Sequence, residues 1–246
     1  GLWSGLSHSL GALMGVIGAF FVGRILEVVE YPNNFAYLFF LTYAMLMISF
    51  VGLALNREPP SETVKAHMTL GQYLRQLPSV LRRDHNYLFF LLSRTTIQLG
   101  AMATGFFMVY GTERFHIDGA GVGLLTAILV ASGAVMNLLW GFVADRFGHK
   151  IVLACAAFAM ALAALTAWFA TSQTWLIFTF ILVGVYAGGD GVSAFNIILE
   201  FCPPADRPTY IGLTNTLLAP VLTIAPLIGG WLATSVGYSG LFLTAD

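Results

Sequence analysis

Charged residues are missing from long stretches of this chain and crowd into the short gaps between them. No Asp, Glu, Lys or Arg interrupts residues 1–23, 31–56, 95–112, 119–144, 151–189 or 208–245. A helix needs about 20 apolar residues to cross a hydrocarbon core. The 151–189 stretch is too long for one crossing, and it carries a polar turn at Thr171-Ser172-Gln173-Thr174. The pattern predicts spans at about 2–26, 35–55, 87–111, 119–144, 149–171, 174–201 and 208–236, with an eighth beginning near 239. The alternation of two that marks a transmembrane barrel is missing. The expected fold is an all-α membrane protein, a polytopic helical bundle.

Composition agrees. The chain is 58% hydrophobic and 9% charged, against about 25% charged in a soluble domain, so too little polar surface exists to face water. A net charge of −1 without a basic stripe gives no reason to expect nucleic acid. Cys155 and Cys202 suit neither a metal site nor a disulfide framework, and read as small apolar residues. There is no Gly-x-x-x-x-Gly-Lys-(Ser/Thr) loop and no His/Cys/Asp/Glu cluster at ligand spacing, so neither ATP hydrolysis nor metalloenzyme chemistry is expected, and no cofactor. No signal peptide is visible, and both ends read as truncations.

Lys and Arg set the orientation. Segments 56–86, 145–150 and 202–207 hold Arg57, Lys65, Arg75, Arg82, Arg83, Arg146, Lys150 and Arg207, whereas the opposite connections hold only Arg24 and Arg114. The first set is therefore expected in the cytoplasm. On that topology Cys202 should be open to reagents from the cytoplasmic side and Cys155 protected. In 56–86, Leu70, Tyr73, Leu74, Leu77 and Leu81 follow a Thr69 N-cap at helical spacing, with Arg75, Arg82 and Arg83 on the other face. This is an amphipathic helix, either at the membrane surface or as a plain linker, and it marks a boundary between two halves. A faint internal repeat pairs Gly1-Leu2 with Gly212-Leu213 and Ile17-Gly18 with Ile228-Gly229.

Between the fourth and fifth spans stands Gly141-Phe142-Val143-Ala144-Asp145-Arg146-Phe147-Gly148-His149-Lys150. It resembles the signature of the major facilitator superfamily, Gly-x-x-x-Asp-(Arg/Lys)-x-Gly-(Arg/Lys)-(Arg/Lys). Gly141, Asp145, Arg146, Gly148 and Lys150 match, and His149 stands where the family prefers a cation. Gly141 would let another helix approach and Gly148 would permit a tight turn. Asp145 would sit at the positive end of a neighbouring helix, here the first. The resemblance implies a latch between two helical halves. It extends to Glu200, Pro203 and Arg207 at the end of the sixth span, and implies that Glu200 and Arg207 join Asp145 and Arg146 in a charge network. It also implies that 1–55 supplies the last two helices of the N-terminal half, 56–86 the linker, and 87–246 the C-terminal six-helix half with its last helix cut short. The Gly-Pro-x-x-Gly-Gly of the family's drug/proton antiporters has no proline counterpart in Gly11–Gly18. A related Ala225-Pro226-Leu227-Ile228-Gly229-Gly230 lies in the seventh span.

Ionisable groups inside a bilayer are costly. Arg94 and Asp190 lie about 10 and 16 Å from the cytoplasmic ends of their spans at about 1.5 Å per residue. They read either as a structural pair or as part of a substrate or proton site. Gln98, Asn137 and Asn196 are further candidates, for solute contact or for hydrogen bonds between helices. Phe106, Phe107 and Tyr110 either line a cavity or form an interfacial belt, with the belt the preferred reading.

The expected function is secondary active transport of a small solute by alternating access, as uniporter, symporter or antiporter. The alternative is a non-transporting membrane sensor or accessory protein with the same fold. The expected partners are a small-molecule substrate, the lipid bilayer, and a coupling proton or Na+. The protein is expected to be a monomer in a bacterial inner membrane.

Overall fold

The computed structural model describes residues 2–57, Gly71 and 81–244. Its long helices follow the charge-free stretches: α1 (Leu2–Val28), α2 (Asn33–Ala54), α3 (His85–Gly100), α4 (Thr104–Phe115), α5 (Gly119–Phe147), α6 (His149–Trp168), α7 (Gln173–Ser193) and α8 (Arg207–Ser235), then the short α9 (Tyr238–Thr244). Among the described residues there is no strand. Among the described residues six helical stretches are long and apolar enough to cross a membrane, the first at Gly5–Ile25 and the last at Pro204–Ser235. The amphipathic helix expected around Thr69 falls mostly outside the described residues.

The third expected span falls on two helices rather than one. α3 and α4 are joined by a 3-10 turn at Ala101–Ala103. The cause is local: the Thr104 hydroxyl donates to the Ala101 carbonyl at 2.7 Å, tightening the turn among Gly100, Ala101 and Ala103. The sixth span also changes character near its end. α7 stops at Ser193, and Asn196–Glu200 continues as 3-10 helix. Asn196 Nδ2 donates to the Val192 carbonyl at 2.6 Å, satisfying one of the carbonyls a helix leaves open at its end.

By contacts the chain divides into two units, Gly1–Ser9 with Ala66–Asp246, and Leu10–Lys65. The second holds most of α1 and α2, whose apolar side chains are largely exposed, Phe20, Phe39 and Leu53 among them. That suits helices whose solvent is lipid.

In the first unit α7 is the central element and packs closely on both α5 and α6. The α5 contact is a backbone approach. A Cβ on Gly184 would stand 2.8 Å from the Leu129 carbonyl oxygen and 2.9 Å from the Gly133 nitrogen, and one on Gly188 would stand 3.1 Å from the Asn137 nitrogen. Glycines four residues apart put both gaps on one face of α7, the small-residue contact that membrane helices use in place of a hydrophobic driving force. On α6 the facing stripe is Ala156, Ala159, Met160, Ala163 and Ala167, all buried.

Phe107 and Tyr110 are core residues, which corrects the belt reading. They are buried and pack on Phe242 of α9, with ring centroids 5.1 and 5.2 Å away. Phe106 packs against the same cluster. It also lies over Gly229 of α8, where an added Cβ would come within 2.8 Å of its ring. Cys202 is likewise buried, whereas Cys155 is exposed on α6, a helix long and apolar enough to cross a membrane, so its exposure is not exposure to water. The Cys202 thiol faces the Ile198 carbonyl at 3.8 Å rather than open water.

Candidate functional site

Two features dominate the first unit, a charged pair within the bundle and a turn at one end of it. α3 and α7 run antiparallel and meet through two polar rungs. Arg94 and Asp190 form an ion pair, with a second contact from Nη2 to Oδ2 at 3.4 Å. Four residues along each helix, the Tyr186 hydroxyl donates to Gln98 Oε1 at 3.4 Å. Spacing of four on both helices puts the rungs one turn apart on a shared face. The pair is unequally covered: the Arg94 side chain is 7% exposed and that of Asp190 26%. Arg94 is thus the enclosed member of the pair and Asp190 the more exposed one. Among the described residues, no buried side-chain nitrogen or oxygen lacks a hydrogen-bond partner, as a low-dielectric interior demands.

The structure brings Arg94, Gln98 and Asp190 together and adds Tyr186, which sequence reasoning missed. Its signal was present: a tyrosine deep in an apolar span needs a hydroxyl partner, and it sits four residues before Asp190. Asn137 lies on α5, its Oδ1 3.7 Å from where a Cβ on Gly191 would be. Asn196 is occupied by its helix-end bond and stands apart, about 9 Å along the chain axis from Asp190 at about 1.5 Å per residue.

The signature turn is built as its residue types require. Gly148 has φ +87°, a conformation a side chain resists. At the start of α1, Gly5 crosses α5 so closely that a Cβ on it would lie 2.4 Å from the Asn137 carbonyl oxygen and 3.3 Å from Gly141 Cα. That crossing brings the Leu2 N–H to Asp145 Oδ2, 2.6 Å away. The Ser9 hydroxyl donates to the Ala134 carbonyl at 2.8 Å further along the same contact.

Around the turn, Arg146 and Lys150 are exposed, and the Arg146 guanidinium lies 5.7 Å from the Phe147 ring centroid. Glu200 and Arg207 are exposed as well. His149, the departure from the signature, is buried, and its Nδ1 shares a hydrogen bond of 3.0 Å with the Ser193 hydroxyl on α7.

Comparison with known proteins fits this arrangement. The family model of the Major Facilitator Superfamily matches residues 90–245. The multi-drug resistance efflux pump PmrA of Streptococcus pneumoniae serotype 4 is 30% identical over 121 residues, 49% of this chain and 30% of the pump. The minor myo-inositol transporter IolF of Bacillus subtilis is 30% identical over 132 residues, 50% of this chain and 30% of the transporter. The niacin transporter NiaP of Acinetobacter baylyi is 31% identical over 114 residues, 46% of this chain and 25% of the transporter. The matched stretches thus span less than a third of these relatives' lengths. With the helical bundle and the signature turn both in place, the chain is an integral, multi-pass membrane protein that belongs to the Major Facilitator Superfamily.

Proposed function

We propose that this chain is part of a secondary transporter that moves a small solute by alternating access. In this reading 1–55 closes an N-terminal half, 56–86 links the halves, and 87–246 is the C-terminal half. Segments 56–86, 145–150 and 202–207 face the cytoplasm of a bacterium. The observation that carries the reading is the Arg94–Asp190 ion pair, an expensive arrangement inside an apolar bundle unless it has work to do. During the cycle, solute or a coupling cation (a proton or Na+) competes for Asp190, while Arg94 stays enclosed. Gln98 and Tyr186 hold the adjoining turn, and Asn137 borders the same helix. Asp145 and the α1 N-terminus form the latch that engages in one conformation and releases in the other, with Arg146 and Lys150 on its surface. The protein works as a monomer in the lipid bilayer.

The relatives carry unlike cargoes, a drug efflux pump beside transporters of myo-inositol and niacin. Family membership therefore points to transport of a small molecule without choosing one. The decisive experiment uses the full-length protein in vesicles, screened first with drug-like cations, polyols and aromatic acids. Arg94→Ala and Asp190→Ala should each abolish transport of the solute found. The swap of Arg94→Asp with Asp190→Arg should restore protein level without restoring transport. Full transport by the swap would reduce the pair to a structural role, and normal transport by either alanine variant would remove it from the site.

A further inference from the structure

We infer that Trp140 is a positioning residue for Asp190: it pins the turn of α7 that aims this carboxylate at Arg94. Trp140 lies on α5, and its indole Nε1–H donates to the Val185 carbonyl of α7 at 3.0 Å. Inside a helix that carbonyl also serves the N–H four residues on, here that of Gly189. The bond from α5 therefore grips α7 by its backbone, in the turn that carries Tyr186 and leads into Asp190. Trp140 directly precedes Gly141, so the helix that ends in the signature turn is the one that holds this part of α7.

The same turn is closed on two sides. A Cβ on Gly188 would stand 3.1 Å from both the Asn137 nitrogen and the Gly133 carbonyl oxygen, which are α5 backbone. A Cβ on Gly189 would stand 3.3 Å from Trp140 Nε1 and 2.7 Å from the Ala156 Cβ of α6. Consecutive residues of a helix point about 100° apart, so the two glycines serve different neighbours. Asp190 points about 100° beyond Gly189, and Tyr186 lies within about 40° of Asp190. Both therefore emerge on the side that α5 and α6 leave, where Arg94 and Gln98 meet them. Tryptophan suits this place because its ring fills the space beside Gly189 while its N–H, a donor only, takes the carbonyl. Phenylalanine would fill much of that space without the bond. Trp140 thus acts on the charged pair through the backbone of α7, by setting the rotation of the helix.

This inference rests on reading the Arg94–Asp190 pair as the transport site, and the experiment keeps the two apart. It uses full-length protein in proteoliposomes, with Cys155 and Cys202 replaced and Asp190→Cys as the reporter. A thiol held beside Arg94 ionises below the ordinary thiol range, because the guanidinium favours the thiolate. Labelling by methyl methanethiosulfonate is followed from about pH 5 to about pH 9, which spans the usual thiol pKa of about 8.5. With Trp140 in place the rate should rise well below the ordinary thiol range, and adding Arg94→Gln should abolish that early rise. Trp140→Phe should move the profile upward, making labelling at about pH 6.5 about tenfold slower, the change that about one unit of pKa produces. An unchanged profile in folded Trp140→Phe would show that the ring only fills space, and overturns the proposal. A reporter that titrates as an ordinary thiol with Trp140 in place overturns it too. If Trp140→Phe does not fold, Trp140→Tyr takes its place, with the same outcomes. If Asp190→Cys does not fold, nitroxide labels at Leu92→Cys on α3 and Ala187→Cys on α7, both exposed, report the same turn with the ion pair intact. Trp140→Phe should then broaden their distance distribution in electron paramagnetic resonance, and an unbroadened one overturns the proposal. Normal transport by Asp190→Ala would end the transport reading of the pair and leave these profiles as they are, so the two failures are distinct.

Discussion

Arg94 and Asp190 hold one another across α3 and α7 with unequal cover, 7% of one side chain exposed and 26% of the other. Stranding the enclosed partner should cost more than stranding the open one. Removing one member of a buried pair costs about 3–5 kcal/mol. Asp190→Asn, which leaves Arg94 charged and enclosed, should lower the thermal midpoint in detergent more than Arg94→Gln, which leaves a partly exposed carboxylate that water or a proton can reach. Equal losses would show that the difference in cover has no energetic weight.

Tyr186 and Gln98 form the second rung, and a deletion on either side should show it. Tyr186→Phe keeps the ring and loses one hydrogen bond, a change of about 1 kcal/mol. Gln98→Leu should cost a similar amount, and the double variant about the same as either alone, because both remove one interaction. Additive losses in thermal stability would mean that the two side chains act independently.

The α5–α7 crossing makes a sharper prediction. A methyl at Gly184 meets Ser132 Oγ and backbone atoms of Leu129 and Gly133, whereas one at Gly191 has its nearest neighbour at 3.7 Å. Gly184→Ala should therefore reduce folded protein strongly, at or above the upper end of the 1–3 kcal/mol (~) typical of overpacking. Gly191→Ala should be tolerated. Expression followed by size-exclusion profiles distinguishes the two, and equal yields would disprove the backbone approach.

Cys202 should be a slow thiol. Burial pushes it above the ordinary thiol range, with Asp206 adding to the effect. The thiolate is the reactive form, so its share at neutral pH falls when the pKa rises. Maleimide labelling of native protein near neutral pH should lag far behind a free cysteine and accelerate only as the medium becomes alkaline beyond the usual thiol range. Unfolding in detergent should abolish the lag. Rapid labelling of the native protein at neutral pH would contradict the burial.

The sequence by itself determined six of the spans, because a bilayer penalises unpaired charge and the charge-free stretches are long enough to cross it, whereas the third expected span proved to be two shorter helices. It also determined the family, because the signature turn depends on a local requirement, a glycine with positive φ at Gly148. The 3-10 breaks after Gly100 and Ser193 were not legible, since they follow from Thr104 and Asn196 side chains taking backbone carbonyls, which periodicity does not register. Depth along the helices made Arg94 and Asp190 candidates for one another, yet only the tertiary structure decided that they meet, that Arg94 is the enclosed member, and that Tyr186 and Gln98 form the neighbouring rung. The same holds for Cys202, Phe107, Tyr110 and His149. Hydrophobic pattern reports whether a residue lies in or near the membrane, while burial within the bundle depends on which face another helix covers, and that is settled by contacts far apart in the chain.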